Sequence, residues 1–163
     1  MILDGLLLLS GAVSAAGVLT GQAANGAGTI NSTNVVDQAS LALGGNQPGD
    51  IGAGEQISVD FSVLTAPTVG TSVQFQLVQA DDAALSVNVN VLNQTDAIPI
   101  ASLVAGAVVP LTYDPAAPFV PRRYIGARYV NVGAIATFSV AAAIVKNVQA
   151  VKNMYPKSGF LVS

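Results

Sequence analysis

Few residues in this chain are able to do chemistry. Its 163 residues include no His and no Cys. Neither a Ser–His nor a Cys–His pair can form, and the usual zinc ligands are missing. General acid–base work would fall to carboxylates, Tyr or Lys. Asp81 and Asp82 are adjacent. In a strand they would point to opposite faces, and in a turn they would cap backbone groups or face water. The segment NQPGDIGAGEQ (46–56) sets two carboxylates among glycines. It lacks the alternating acidic spacing of a calcium loop, and no Lys follows its glycines as a P-loop requires. It reads as a turn between strands. No catalytic, cofactor-binding or metal-binding residue is assigned, and the expectation is a protein that is not an enzyme and carries no cofactor. A hydrolase built on two carboxylates that converge in space is the alternative that one-dimensional spacing does not test.

The densest cationic stretch is PRRYIGARYV (121–130). As a strand it places Arg122, Tyr124 and Arg128 on one face, and Arg123, Ile125, Ala127 and Tyr129 on the other. The second set reads as core-facing, with Arg123 at the strand's edge. The first set is a ridge of two guanidiniums around an aromatic ring. Arg and Tyr are favoured at protein interfaces, so a partner contact is one reading and a solvated face with internal pairing is the other. Nucleic acid is disfavoured, because the chain has six basic residues and a net charge of −3. Charge is also divided along the chain. All nine acids fall within residues 1–114 and all six bases within 122–163, which suits either internal pairing or complementary patches that meet a partner.

The positioning elements are apolar and strand-like. Apolar residues make up 52% of the chain and charged residues 9%, against about 25% charged in an ordinary soluble domain. So little charge suits a surface covered by partners, or simply an Ala-rich domain. Ile57, Val59, Phe61 and Val63 alternate with polar residues, as do Val73, Phe75 and Leu77, and then Leu85, Val87, Val89 and Val91. Thr33–Leu41, Ile98–Leu103, Val108–Tyr113, Arg123–Val130 and Ala136–Lys146 are further strand candidates, separated by turn residues. No segment shows helical periodicity with caps, and no internal repeat is present. Some eight short strands in one domain predict an all-β fold, an antiparallel β-sandwich of jelly-roll type with extended N- and C-terminal arms. The expected organisation is an N-terminal arm and Gly/Ala-rich loop over 1–32, the sandwich over 33–148, and a C-terminal arm over 149–163 whose Tyr155 and Phe160, like Arg122, Tyr124 and Arg128, are assigned to partner contact.

The opening MILDGLLLLSGAVSAAGVLTG (1–21) imitates a signal or an anchor. The only charge before its apolar run is negative, Asp4, whereas a secretory signal begins with positive charge. Gly5, Ser10, Gly11, Ser14 and Gly17 interrupt what a membrane helix of about 20 apolar residues would need. The expectation is a retained apolar arm in which Leu6, Leu7, Leu8 and Leu9 dock on a neighbour. The alternative is a first strand completing the domain's own core.

The order of MILDGLLLLSGAVSA, DIGAGEQISVDF, LVAGAVVPLTY, RRYIGARYVNVG, ATFSVAAAIVKNVQ and YPKSGF resembles the small cement, or decoration, proteins on capsids of tailed phages, of the type known from the Bordetella podovirus. The resemblance spans most of the chain. It implies a jelly roll on the outer surface of an icosahedral head, in the virion, made in the cytoplasm of a bacterial host. It also implies a homo-oligomer, a dimer rather than a trimer, that clamps neighbouring major capsid protein subunits, with neither nucleic acid nor membrane as partner. A receptor- or carbohydrate-binding sandwich module is the alternative. The absence of Trp and the presence of only four Tyr weigh against it.

Overall fold

A computed structural model describes residues 7–38, 56–113 and 121–145. Its strands are β1 (Leu8–Ser10), β2 (Ala12–Val13), β3 (Leu19–Thr20), β4 (Gln22–Ala23), β5 (Gly26–Asn31) and β6 (Val36–Asp37) in the first part. They continue as β7 (Ile57–Thr65), β8 (Ser72–Ala80), β9 (Asn90–Gln94), β10 (Ile98–Pro99), β11 (Val108–Tyr113), β12 (Tyr124–Ile135) and β13 (Ser139–Val145). One sheet runs β1-β13-β7-β11, with β4 also on β13. The second runs β10-β8-β12-β5, with β6 on β12 and β9 on β8. Every pairing is antiparallel, and the principal strands nest. β1 pairs β13, β5 pairs β12, β7 pairs β11 and β8 pairs β9. The nested hairpin closes into two sheets through β13–β7 and β12–β8. This wiring is a jelly roll, and the chain is an all-β antiparallel sandwich as its alternation predicts.

Period-two patterning explains how the core fills. Val59, Phe61 and Val63 point in from one sheet, and Val73, Phe75, Leu77, Ile125, Ala127 and Tyr129 from the other. The Phe61 ring meets Phe75 at 5.2 Å and Tyr129 at 6.0 Å between centroids, and Phe75 meets Tyr129 at 5.8 Å, all edge to face. That geometry suits the ring quadrupoles, and each such pair contributes about 0.5–1.5 kcal/mol beyond its buried area. Tyr129 also donates a hydrogen bond to Ser10 Oγ at 2.7 Å across the sandwich. Its phenol is fully buried, and desolvation pushes its pKa up.

The N-terminal arm is corrected over the residues described. β1 is a sandwich strand. Leu8 and Leu9 are buried, and Asn34 clamps the strand through Leu9 O, Leu8 O and Gly11 O. Leu7 is exposed, and Leu6 lies outside the described residues. Each fully buried Leu contributes roughly 2 kcal/mol, so the Leu run is drawn into the nearest core. Within the arm and loop expected over 1–32, residues 13–32 hold three strands and part of β2. The 33–41 strand shortens to β6 within the described residues, and 98–103 becomes two strand residues followed by a 3₁₀ turn over Ile100–Ser102. Residues 85–89 are loop despite their alternation, because Leu85 and Asn88 take positive φ. Tyr155, Phe160, the C-terminal arm and all of NQPGDIGAGEQ but Gln56 lie outside the described residues.

Asp60 has the most unusual environment. On β7 it points away from the aromatic core and stands opposite Pro110 and Ala143. It is only 4% exposed, and neither carboxylate oxygen has a hydrogen-bond partner. Burial raises its pKa, since a lone charge is costly away from water. As pH rises, the unfolded chain therefore loses this proton first. Stability is complete below the ordinary carboxylate range and drains as pH climbs towards the raised folded value. Asp60→Asn is expected to raise the melting temperature at neutral pH by about 3 °C or more, the shift that roughly 1 kcal/mol produces in a domain of this size. Thermal melts across pH should show the gain vanishing in acid. An equal or lower melting temperature at neutral pH would mean that the carboxylate is stabilised where it sits.

Candidate partner interface

The cationic ridge lies at the start of β12. Core parity holds there: Ile125, Ala127 and Tyr129 are buried, while Tyr124 and Arg128 face outward and are half-buried. What covers the outward face is the segment between β8 and β9. Leu85 from that segment is fully buried with Val78 and Ala80, and Val35, Val89, Val91 and Tyr124 pack around them. A second small core thus sits on the outside of the sheet. Sequence alternation misplaced Leu85, and the signal for its real role is Asp82. The Asp82 carboxylate accepts from the Ser86 amide at 2.8 Å, the Ser86 hydroxyl at 2.7 Å and the Val87 amide at 2.8 Å. The Ser86 hydroxyl foremost, then these amides, hold its pKa below the ordinary value. A carboxylate turning backbone on itself in this way competes with any ladder.

Each arginine of the 121–130 stretch has a partner within the chain. Arg122 Nη1 lies 2.7 Å from both oxygens of Asp81. Asn88 also donates to Asp81 at 2.7 Å, and these two bonds, Asn88 first, lower the Asp81 pKa. Arg123 makes a bidentate pair with Asp37, both contacts 2.9 Å, which raises its pKa, and it stands over the Tyr124 ring at 4.9 Å. Arg128 meets neutral acceptors, Asn31 Oδ1 at 3.0 Å and Leu85 O at 2.9 Å, and burial lowers its pKa. Arg122, Tyr124 and Arg128 therefore do lie together as the sequence places them, but they are tied to the 81–89 segment and to β5. Leu7 is remote from them in the sheet order, on the strand side next to β13.

The charges are unevenly distributed. Asp37, Asp81, Asp82, Arg122 and Arg123 gather where β8 ends and β12 begins. Residues 5–36, 61–80, 97–113 and 129–145 contain no charged side chain at all. Within them stand Leu7, Val13, Val18, Leu64, Val69, Val104 and Val132, all exposed large apolar side chains. Val69 and Val104, in the turns, and Val132, near the end of β12, sit at the end of the sandwich opposite the charges, where Thr71 bonds both Val132 O and the Ile100 amide. Val13 and Val18 sit on the β2–β3 hairpin. None of these valines stood out in the sequence, because alternation singles out buried positions and is silent on exposed ones. Among the described residues, no three acidic side chains gather as a metal site would require, and no helix is long and apolar enough to cross a membrane.

A jelly roll with exposed valines in uncharged segments, and with two ion pairs gathered at one end, is the geometry that the comparison with known proteins meets. The chain belongs to the Bbp16 family. The family model matches residues 13–144, from the hairpin to the last strand. The family's name points to a protein of a Bordetella phage, which agrees with the phage part of the resemblance. No curated protein matches the chain.

Arg128 generates the prediction of this site. Its two bonds pin Leu85 and Asn31 together, so Arg128→Ala leaves the Leu85 carbonyl only the longer contact from Asn31 Nδ2 and loosens the 81–89 segment, which Asn31 still holds at Ala84 O. The expected loss is about 2 kcal/mol, typical for charge-assisted bonds in partly buried surroundings, read as a lower melting temperature of the free protein. Unchanged stability would show that the guanidinium is idle in the fold and available to a partner.

Proposed function

We propose that this protein is a capsid cement protein, a homo-oligomer, dimeric rather than trimeric, that sits on the outside of a tailed-phage head and clamps neighbouring major capsid protein subunits. The observation that carries this reading is the described surface, where two ion pairs close within the chain while the large exposed apolar side chains, all but Val87, lie in uncharged segments. Such a surface is poorly suited to a free-living monomer and well suited to permanent contact with protein. Membership of a family with a phage name supports the same reading. A clamp needs no catalytic group. It needs several contacts that act together, because linked contacts raise one another's effective concentration and each can be individually modest. A specific contact of this kind buries about 1,000 Å² or more in total.

The test is binding to purified heads that lack the protein. The expected result is co-sedimentation that saturates at a fixed number of copies per shell and raises the temperature at which the shell opens. Absence of binding to heads, with binding to host glycans instead, would replace this reading with a receptor-binding module.

A further inference from the structure

β1 and β4 are two halves of one edge strand. Ser10 stands opposite Ala142 and Gln22 opposite Val140, consecutive inward positions of β13. Between them residues 11–21 leave the sheet altogether and form the β2–β3 hairpin, which pairs only with itself. Its neck is built from two glycines. A Cβ on Gly11, whose φ is +99°, would run into the Thr20 carbonyl oxygen, and a Cβ on Gly21 would run into Ser139 Oγ. Its tip is fastened by its own bonds. Ser14 N donates to Val18 O at 2.9 Å, Gly17 N to Ser14 O at 2.8 Å and Val18 N to Ser14 Oγ at 3.1 Å, while the Thr20 hydroxyl bonds Ala12 O at 3.1 Å.

This preorganised hairpin carries two valines in water, while its Leu19 is half-buried. Val13 is 43% exposed and Val18 58%, and no charged residue lies between Gly5 and Val36. A two-stranded hairpin is marginal on its own, and proteins ordinarily guard exposed strand edges with charge, above all Lys. The neighbouring edge is guarded without charge: Gln22 reaches across to cap Asn31 O and the Thr33 amide, both at 2.8 Å. The hairpin has no such guard.

We infer that the hairpin over residues 12–20 is a docking finger that seats in an uncharged apolar cleft on the phage shell. This rests on the cement reading and names one of its contact elements. The occupant follows from size and charge. A stable two-body interface takes about 20–30 residues a side, so a nine-residue finger is too small to hold a free dimer together, and it suffices as one of several simultaneous contacts on a lattice. Because the finger bears no charge, its contact is insensitive to salt, unlike an arginine-borne one.

The experiment compares wild type, Val13→Asp/Val18→Asp and Val18→Ile. It reads melting temperature and mass of the free protein, and occupancy on heads lacking the protein across a salt series. The double Asp variant is expected to keep the wild-type melting temperature and mass, and to lose about tenfold or more in affinity for heads, as an unpaired charge in an apolar cleft demands. Val18→Ile should bind as wild type. Undiminished occupancy of the double Asp variant overturns the finger alone. A lower mass for the double Asp variant makes a second copy the occupant, and a sharply lower melting temperature makes the valines part of the fold; either result also overturns it. Failure of the wild type to bind heads overturns the cement reading and the finger with it.

Discussion

The closure of the first strand on the last is the constraint on which the fold depends. β1 is three residues long, too short to hold by its ladder alone. It is fixed from the opposite sheet, where Tyr129 packs edge-on against Phe61 and Phe75 and donates its hydroxyl to Ser10. A buried phenol needs that acceptor, since an unpartnered hydroxyl in the core costs about 1–3 kcal/mol. The same bond therefore satisfies the centre of the core and secures its edge. With β1 in place, β13 has a neighbour on both sides, and the looped-out hairpin has a rigid base on the β1–β4 line.

A second constraint is the scarcity of charge. With so few ionic groups, the protein gathers five of them at one end, where four form two ion pairs and Asp82 is held by Ser86 and Val87. These exposed pairs add little to stability. Their role is local: they shape the 81–89 segment so that Leu85 covers the outer face of β8 and β12. Among the described residues the opposite end and one lateral edge carry no charge, which is costly for solubility and suits the covered surface proposed above. Asp60 departs from this economy. It is a buried carboxylate without a partner, and it makes the sandwich less stable as pH rises.

Alternation made the main strands legible in the sequence. Val59–Val63, Val73–Leu77 and Ile125–Tyr129 each bury one face, and the turn residues between them mark an antiparallel sandwich. Where alternation failed, a side chain had overridden it. Leu85, Val87 and Val89 alternate, but Asp82 captures the Ser86 and Val87 amides and bends the chain into a loop. The 13–32 stretch failed for the opposite reason. Its small residues show no burial pattern because β2 and β3 face water on both sides, and the register to β13 that reunites β1 with β4 is a long-range fact. The arginine ridge was legible as a face from strand parity alone. The partners of Arg122, Arg123 and Arg128, which are Asp81, Asp37 and Asn31, lie 41, 86 and 97 residues away in sequence, beyond the reach of any local pattern.

The central claim is that the uncharged surface, and not the arginine ridge, faces the partner. Hydrogen–deuterium exchange of the free and the shell-bound protein tests it most directly. The account predicts that binding newly protects amides of the hairpin over residues 12–20, while those of the 81–89 segment and of Arg122 to Arg128 exchange as in the free protein. New protection confined to 81–89 and 122–128, with the hairpin unchanged, would contradict it.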